Sequence, residues 1–231
     1  MQDSRISAPA TSTARLGAYT ALAGGICALV GAGLGLSTGV LMDAAIAEDD
    51  MAGYLTAAGA NRDALLANLV VWIFMALLLG MAGSAISALG LRRHARSRAA
   101  AYCSFAGAPI LVVAYTAWLA FVVQIVPDTS DSAVLLAEVM GWFALRLDWI
   151  SSILLVGIGP TLLALSGRGV WAPSWLVVWG YVTALAAALT AVAMLTGGAG
   201  LTTYGFLVVP AGIFWMIAAG IVLLRWQGGN R

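Results

Sequence analysis

The residues from which chemistry could be built are few in this chain. The stretch EVMGWFALRLDW sets Glu138, Arg146 and Asp148 among strongly apolar neighbours, and Asp43 stands at the end of another hydrophobic run. A carboxylic acid in such a place can protonate an alkene-like group, and charges around a vestibule can hold a small molecule or serve a carrier. Spacing narrows these options. On a straight helix Glu138 and Asp148 stand about 15 Å apart at 1.5 Å per residue, beyond the roughly 5–10 Å of a carboxylate dyad. Arg146 and Asp148 project about 200° apart, so they do not pair on one helix. A site using them needs partners from elsewhere, such as Asp43, Arg62, Asp63 or Asp128.

The elements that would carry these residues follow from the pattern around them. Glu138, Trp142 and Arg146 recur at i, i+4 and i+8, while Val139, Met140, Phe143 and Leu147 fall on other, apolar faces. That is an amphipathic helix, with Ser130, Asp131 or Ser132 placed to cap it. A membrane span of about 20 residues, counted back from Gly167, begins at Asp148. Trp142 and Trp149 suit an interfacial aromatic belt. On this count the charges mark the place where the membrane ends, and a polar pocket opening outward between helices is the competing expectation.

Composition sets the class. Of 231 residues, 62% are hydrophobic and 9% charged, and the mean hydropathy is +0.97. A soluble domain carries roughly a quarter charged residues, so this composition points to a polytopic membrane protein. Six runs are long enough to span: Leu16–Met42, Ala64–Leu91, Ala99–Val126, Leu147–Ser166, Ser174–Leu195 and Thr203–Leu224. Runs of this length are helices rather than barrel strands, which alternate over about ten residues. The expected architecture is an all-α bundle of six transmembrane helices over residues 16–225, flanked by tails 1–15 and 226–231. The first run far exceeds the roughly 7–15 apolar residues of a cleavable signal, so it reads as a retained helix.

Charge orients the bundle. Nine arginines, at positions 5, 15, 92, 93, 96, 98, 168, 225 and 231, fall on one side, leaving Arg62 and Arg146 on the other. The positive-inside rule then places both termini in the cytoplasm. Asp43, Glu48, Asp49, Asp50, Asp63, Asp128, Asp131, Glu138 and Asp148 all fall outside. Arg92, Arg93, Arg96 and Arg98, in the RRHARSR loop, could hold anionic lipid headgroups, although fixing topology is role enough for them. Ala23, Cys27, Gly31, Gly35 and Gly39 recur every fourth residue, as do Ala76, Gly80, Ser84 and Ala88. Such stripes predict close helix packing within the bundle. In the segment after span one, Asp49 or Asp50 could cap a short helix and Asn61 or Asp63 could cap span two. Tyr54 and Leu55 could rest that short helix on the membrane or over the bundle mouth. Pro160 with Gly157–Gly159, and Pro210–Gly212, predict kinks in spans four and six.

Several chemistries have no residues to support them. Lysine is absent, which excludes a lysine Schiff base. His94 is the single histidine and lies in the arginine loop; with Cys27 and Cys103 in separate apolar runs, there is no zinc or bis-histidine haem spacing. TGGAGLTTYG lacks the Lys-Ser/Thr that completes a phosphate loop. A net charge of +1 gives no footprint for nucleic acid, and no cofactor is expected.

Three stretches carry a resemblance. AGYLTAAGANRDALLANL, GIGPTLLALSGRGVWAPSWLVVWGYVTAL and VVPAGIFWMIAAGIVLLR resemble a bacterial family of small integral membrane proteins, domain-of-unknown-function family 4386. APSWLVVWG is the most distinctive piece. The resemblance implies a multi-pass protein of the bacterial inner membrane and assigns no reaction. Members often carry a glutamate in the last helix after its proline, where this chain has Ala211 to Trp215, and a histidine near the start of the fourth helix, where it has Asp148. No polar role is carried over to those positions. The leading expectation is therefore non-enzymatic binding of a lipid, small molecule or partner protein. A carrier using Asp43, Glu138, Arg146 and Asp148 comes next, and last an isoprenoid- or lipid-processing enzyme with Asp148 or Glu138 as general acid.

Overall fold

The computed structural model describes residues 8–90, 95–196 and 207–226. In chain order the elements are α1 (Ala8–Thr38), α2 (Met42–Glu48), α3 (Met51–Ala60), α4 (Arg62–Ser87), α5 (Ala95–Gln124), α6 (Asp131–Ser152), a π-helical turn (Ile153–Ile158), α7 (Gly159–Gly167), α8 (Ser174–Thr196) and α9 (Val208–Arg225). Six helical stretches are long and apolar enough to cross a membrane: Thr11–Thr38, Arg62–Ser87, Ala95–Gln124, Asp131–Gly167, Ser174–Thr196 and Val208–Arg225. The protein is an all-α bundle with the architecture of a multi-pass membrane protein.

The first span is held by small residues, but not by the stripe read from sequence. In that stripe Gly31 is buried, Ala23, Cys27 and Gly35 are half-buried, and Gly39 is exposed. The buried face is instead Ala14, Gly17, Ala18, Thr20, Ala21, Gly24, Gly25, Ala28 and Gly31. The reason is geometric: each step of four residues rotates 40° past a full turn of 3.6, so an i+4 ladder winds away from its neighbour within a few turns. Alternating steps of three and four hold one seam. Along it a Cβ at Gly24 would meet Leu79 and one at Gly31 would meet Trp72, both on α4. Gly25 faces Ile217 of α9 instead. The stripe on α4 splits the same way, with Ala76 and Gly80 buried and Ser84 and Ala88 exposed. Gly80 lies against Ala108 and Gly83 against Ser104, which seats α5 on α4's other side.

The fourth span is the second part of a longer helix, which begins with the amphipathic stretch expected before it. The amphipathic stretch and the span form one helical rod from Asp131 to Gly167, since no proline breaks it before residue 160. At 1.5 Å per residue it extends about 55 Å, well beyond a hydrocarbon core of about 30 Å. Pro160 has no N–H to donate to Val156, and its ring crowds the preceding turn; the chain answers with the wider π turn Ile153–Ile158. Hydroxyls from within and beside the rod supplement its backbone bonding. Thr183 of α8 donates to the Gly157 carbonyl at 2.9 Å, and Thr161 donates to Gly180 on α8 at 2.5 Å. The expected kink at Pro210 is absent, because α9 begins at Val208 and a proline in a first turn lacks only an N–H that would have no helical partner anyway. The expected start of span six at Thr203 lies outside the described residues.

Two short helices close one end. Asp50 caps α3, accepting a hydrogen bond from the Gly53 amide at 2.9 Å. Neither Asn61 nor Asp63 caps α4: Asn61 holds the position, but its side chain donates back to the Ala57 carbonyl, and Asp63 is exposed. Tyr54 and Leu55 are buried against the bundle, with the Trp118 indole N–H donating to the Tyr54 hydroxyl at 2.9 Å. Burial pushes the Tyr54 hydroxyl far above its ordinary range, against a smaller opposing effect of that hydrogen bond. At the other end Ser97 donates to the Ser87 carbonyl, tying α5 to the end of α4. There Trp171 meets Trp215 edge to face at 6.4 Å.

Candidate functional site

The candidate site is a cavity of 430 Å³ beneath α2, at the end of the bundle that α2 and α3 cover. It is bounded by the last turns of α1, the first half of α4, the second half of α5, the last turns of α6 with the π turn, Thr190 of α8 and the start of α9. Its lining is chiefly apolar. Polar groups enter from Asp43, Asn68, Tyr115, Asp148, Ser152 and Thr190.

Each polar group is placed by its helix. Asp148 lies on α6 one turn before Ser152, whose hydroxyl donates to its carboxylate at 3.4 Å. The Tyr115 side chain on α5 stands beside that carboxylate in the cavity wall. Asp148 is half-buried and lines the cavity. Asn68 on α4 is buried and donates to the Gly31 carbonyl of α1 at 2.5 Å. A side-chain amide there anchors α1 where its glycines would otherwise offer only backbone contact.

Asp43 reaches the same cavity from the first turn of α2. Burial pushes its carboxyl above the ordinary value of 3.8, while its own amide and that of Ala44 oppose this by hydrogen bonding. Its charge acts on Asp148 through space. Two carboxylates 105 residues apart in sequence thus share one enclosure.

The remaining predicted residues stand elsewhere. Glu138 is half-buried three turns before Asp148 and is not part of the lining. Arg146 is also outside it: its guanidinium rests over the rings of Trp142 and Trp149, at 5.1 and 5.3 Å from their centroids. Those partners lie four residues before and three after it, where helix geometry brings side chains together. The structure therefore divides the charges of the opening stretch. Asp148 faces a cavity with Asp43, while Glu138 and Arg146 belong to the flank of the rod. Arg62 donates to the Val123 carbonyl at 2.8 Å, and Asp63 and Asp128 are exposed. Of the arginine cluster, Arg96 and Arg98 are exposed in the first turn of α5, at the end away from the cavity; Arg92, Arg93 and His94 lie outside the described residues.

An aromatic ladder completes the wall. Trp72 stacks on Tyr115 with centroids 5.9 Å apart and planes 8° from parallel. Tyr115 stacks on Trp118 at 6.4 Å and 10°. Sequence reasoning missed Asn68, Trp72, Tyr115, Trp118 and Ser152. A signal for some of them existed: Asn68 is an amide inside an apolar span, which lipid tolerates poorly unless it is bonded within the bundle, and Tyr115 and Trp118 share an i, i+3 face. Among the described residues no group of three His, Cys, Asp or Glu could hold a metal ion, and both cysteines are free.

Comparison with protein-family models, with curated proteins and with solved structures finds no match for this chain.

Proposed function

We propose that this is an inner-membrane protein of bacteria, kin to domain-of-unknown-function family 4386 with both termini in the cytoplasm, that binds a lipid or small amphipathic molecule without transforming it. One observation carries the reading: a cavity of 430 Å³, mostly apolar and furnished with a few converging polar groups. Binding pockets for small molecules run from about 300 to 1,000 Å³ and have this division of surface. Asp43, Asp148, Tyr115, Asn68 and Ser152 orient the bound molecule, and the aromatic ladder receives its apolar part. Binding is favoured over catalysis because the two carboxylates share their enclosure with no basic residue or metal-ligand set among the described lining residues to activate a substrate.

The test is to purify the chain in nanodiscs and identify what copurifies, by mass spectrometry of the extracted contents. Gly35→Phe supplies the control. A Cβ there meets only the Asn68 amide nitrogen, at 3.6 Å, so the ring grows into the cavity. Supporting data would be one species enriched over bulk lipid with the natural chain and lost from a Gly35→Phe protein that still melts cooperatively. Identical contents from both proteins would sink the proposal.

A further inference from the structure

We infer that the cavity selects a lipophilic cation, an amphiphile with an ammonium head, which enters from the lipid between α1 and α9. This rests on the reading that the cavity binds a ligand, and adds what that ligand must be.

Charge comes first. Two carboxylates line the cavity, and no arginine or histidine does among the described residues. The nearest cation on the same helix, Arg146, rests over the Trp142 and Trp149 rings and is not part of the lining. Acidic groups within a membrane bundle are costly unless a positive partner offsets them. Here the chain supplies none to the lining, so a cationic guest completes the site. An anionic headgroup would meet repulsion from both Asp43 and Asp148.

The aromatic wall selects in the same direction. Trp72, Tyr115 and Trp118 form a stacked ladder beside Asp148, and Trp149 adds a fourth ring to the lining. Ring faces attract ammonium groups, most strongly where water is excluded, and indole is the best of them. Carboxylate and indole together are the donor set for a substituted ammonium. A phosphate or sulfate calls instead for arginine or clustered backbone amides.

The route follows from packing. α1 and α9 touch closely where Gly25 meets Ile217 and where Gly220 meets Leu22. Further along, their facing surfaces line the cavity yet stay exposed: Leu29, Leu36 and Phe214 are 47%, 76% and 47% accessible. The cavity therefore reaches the lipid-facing flank along an apolar seam, which admits a hydrocarbon tail while the head sits at Asp148.

The experiment uses the full chain in nanodiscs and three probes sharing one nitroxide-labelled octadecyl tail, with a trimethylammonium, hydroxyl or sulfonate head. Binding is read as saturable quenching of tryptophan fluorescence above the linear background from lipid partitioning; Trp72, Trp118 and Trp149 report the cavity. The ammonium probe should bind roughly tenfold or more tightly than the other two, and Asp148→Asn should abolish that preference. If the hydroxyl or sulfonate probe saturates as tightly as the ammonium, the cavity binds amphiphiles but the cation inference falls. If no probe saturates, the binding reading falls with it. The comparison of heads on the unmutated chain decides even where Asp148→Asn fails to fold. A folded Asp148→Asn protein that keeps the preference overturns the place given to Asp148. Adding a primary-amine probe separates two modes within the cation class. Equal affinity for primary and quaternary heads assigns recognition to charge and rings, and a preference for the primary head adds hydrogen bonding to Asp148.

Discussion

Gly212→Ala is the sharpest test of how the bundle is assembled. Gly212 lies in the first turns of α9 against the π turn, and a Cβ built there would stand 2.5 Å from the Val156 Cβ and 2.7 Å from its carbonyl carbon. These atoms are backbone or fixed to it, in a helix buried between α5, α8 and α9, so no side chain can rotate aside. Overpacking of this kind costs about 1–3 kcal/mol, and a rigid obstacle puts the cost toward the upper end. Against it stands the better helix propensity of alanine, worth roughly 0.8–1 kcal/mol. The net loss is about 1–2 kcal/mol, which at about 2–4 °C per kcal/mol for a chain of this size lowers the melting midpoint by roughly 2–8 °C. The matched control is Gly33→Ala on α1, where a Cβ meets nothing, so the propensity gain stands alone and the midpoint rises by up to about 2–4 °C. Both would be measured in one detergent at one scan rate, by tryptophan fluorescence, because irreversible unfolding makes midpoints depend on the rate. A Gly212→Ala protein melting at or above the unmutated midpoint would refute the close approach of α9 to the π turn.

Two further outcomes follow from the covering helices. Tyr54→Phe removes the acceptor of the Trp118 indole N–H, costs about 1 kcal/mol, and should speed amide hydrogen exchange across α3 while leaving the middle of α4 unchanged; equal exchange in α3 would show that this bond does not hold the cover. The Asp43 carboxyl titrates above 3.8 because burial penalises its charge, so the folded state binds its proton more tightly than the unfolded chain does. Stability from this group therefore falls as pH rises through its raised range, the reverse of an ion-paired aspartate. Asp43→Asn should raise the melting midpoint at pH 7 relative to the unmutated chain, and that advantage should shrink as pH drops toward 3.8; a difference constant with pH would count against it.

How much of this was legible in the sequence depends on which forces wrote it. The six spans were plain because bilayer thickness imposes a length on every apolar run, and their boundaries moved by a few residues at most ends. Around the fourth, the amphipathic stretch expected from Ser130–Ser132 and the span run on as one helix from Asp131. The packing stripe on α1 was misassigned by treating i+4 as a straight line, when Ala21, Gly24, Ala28 and Gly31 show the seam to alternate steps of three and four. Two of the six polar groups of the candidate site were visible: Asp43 and Asp148 stood out as charges near apolar runs. Their meeting depends on α2 folding over the bundle end, which no local pattern encodes. Tyr115 and Trp118 stayed hidden for the opposite reason, since aromatic residues are ordinary in a span until a cavity gives two of them a common face.

The π turn sets a phase as well as relieving Pro160. A π turn holds the equivalent of one additional residue in an α-helix, and each residue of such a helix advances it by about 100°. Everything before Ile153 is thereby rotated about its axis relative to α7, and Asp148 and Ser152 sit on the rotated side. A chain one residue shorter in Ile153–Ile158 would keep its length, its hydropathy and its count of spans almost unchanged. Yet it would turn Asp148 about a quarter of the way round the rod, away from Tyr115 and Asp43. The chemistry of the cavity is thus indexed by a single peptide unit, and a chain related to this one can hold or lose its acidic wall through an insertion or deletion that leaves every helix in place.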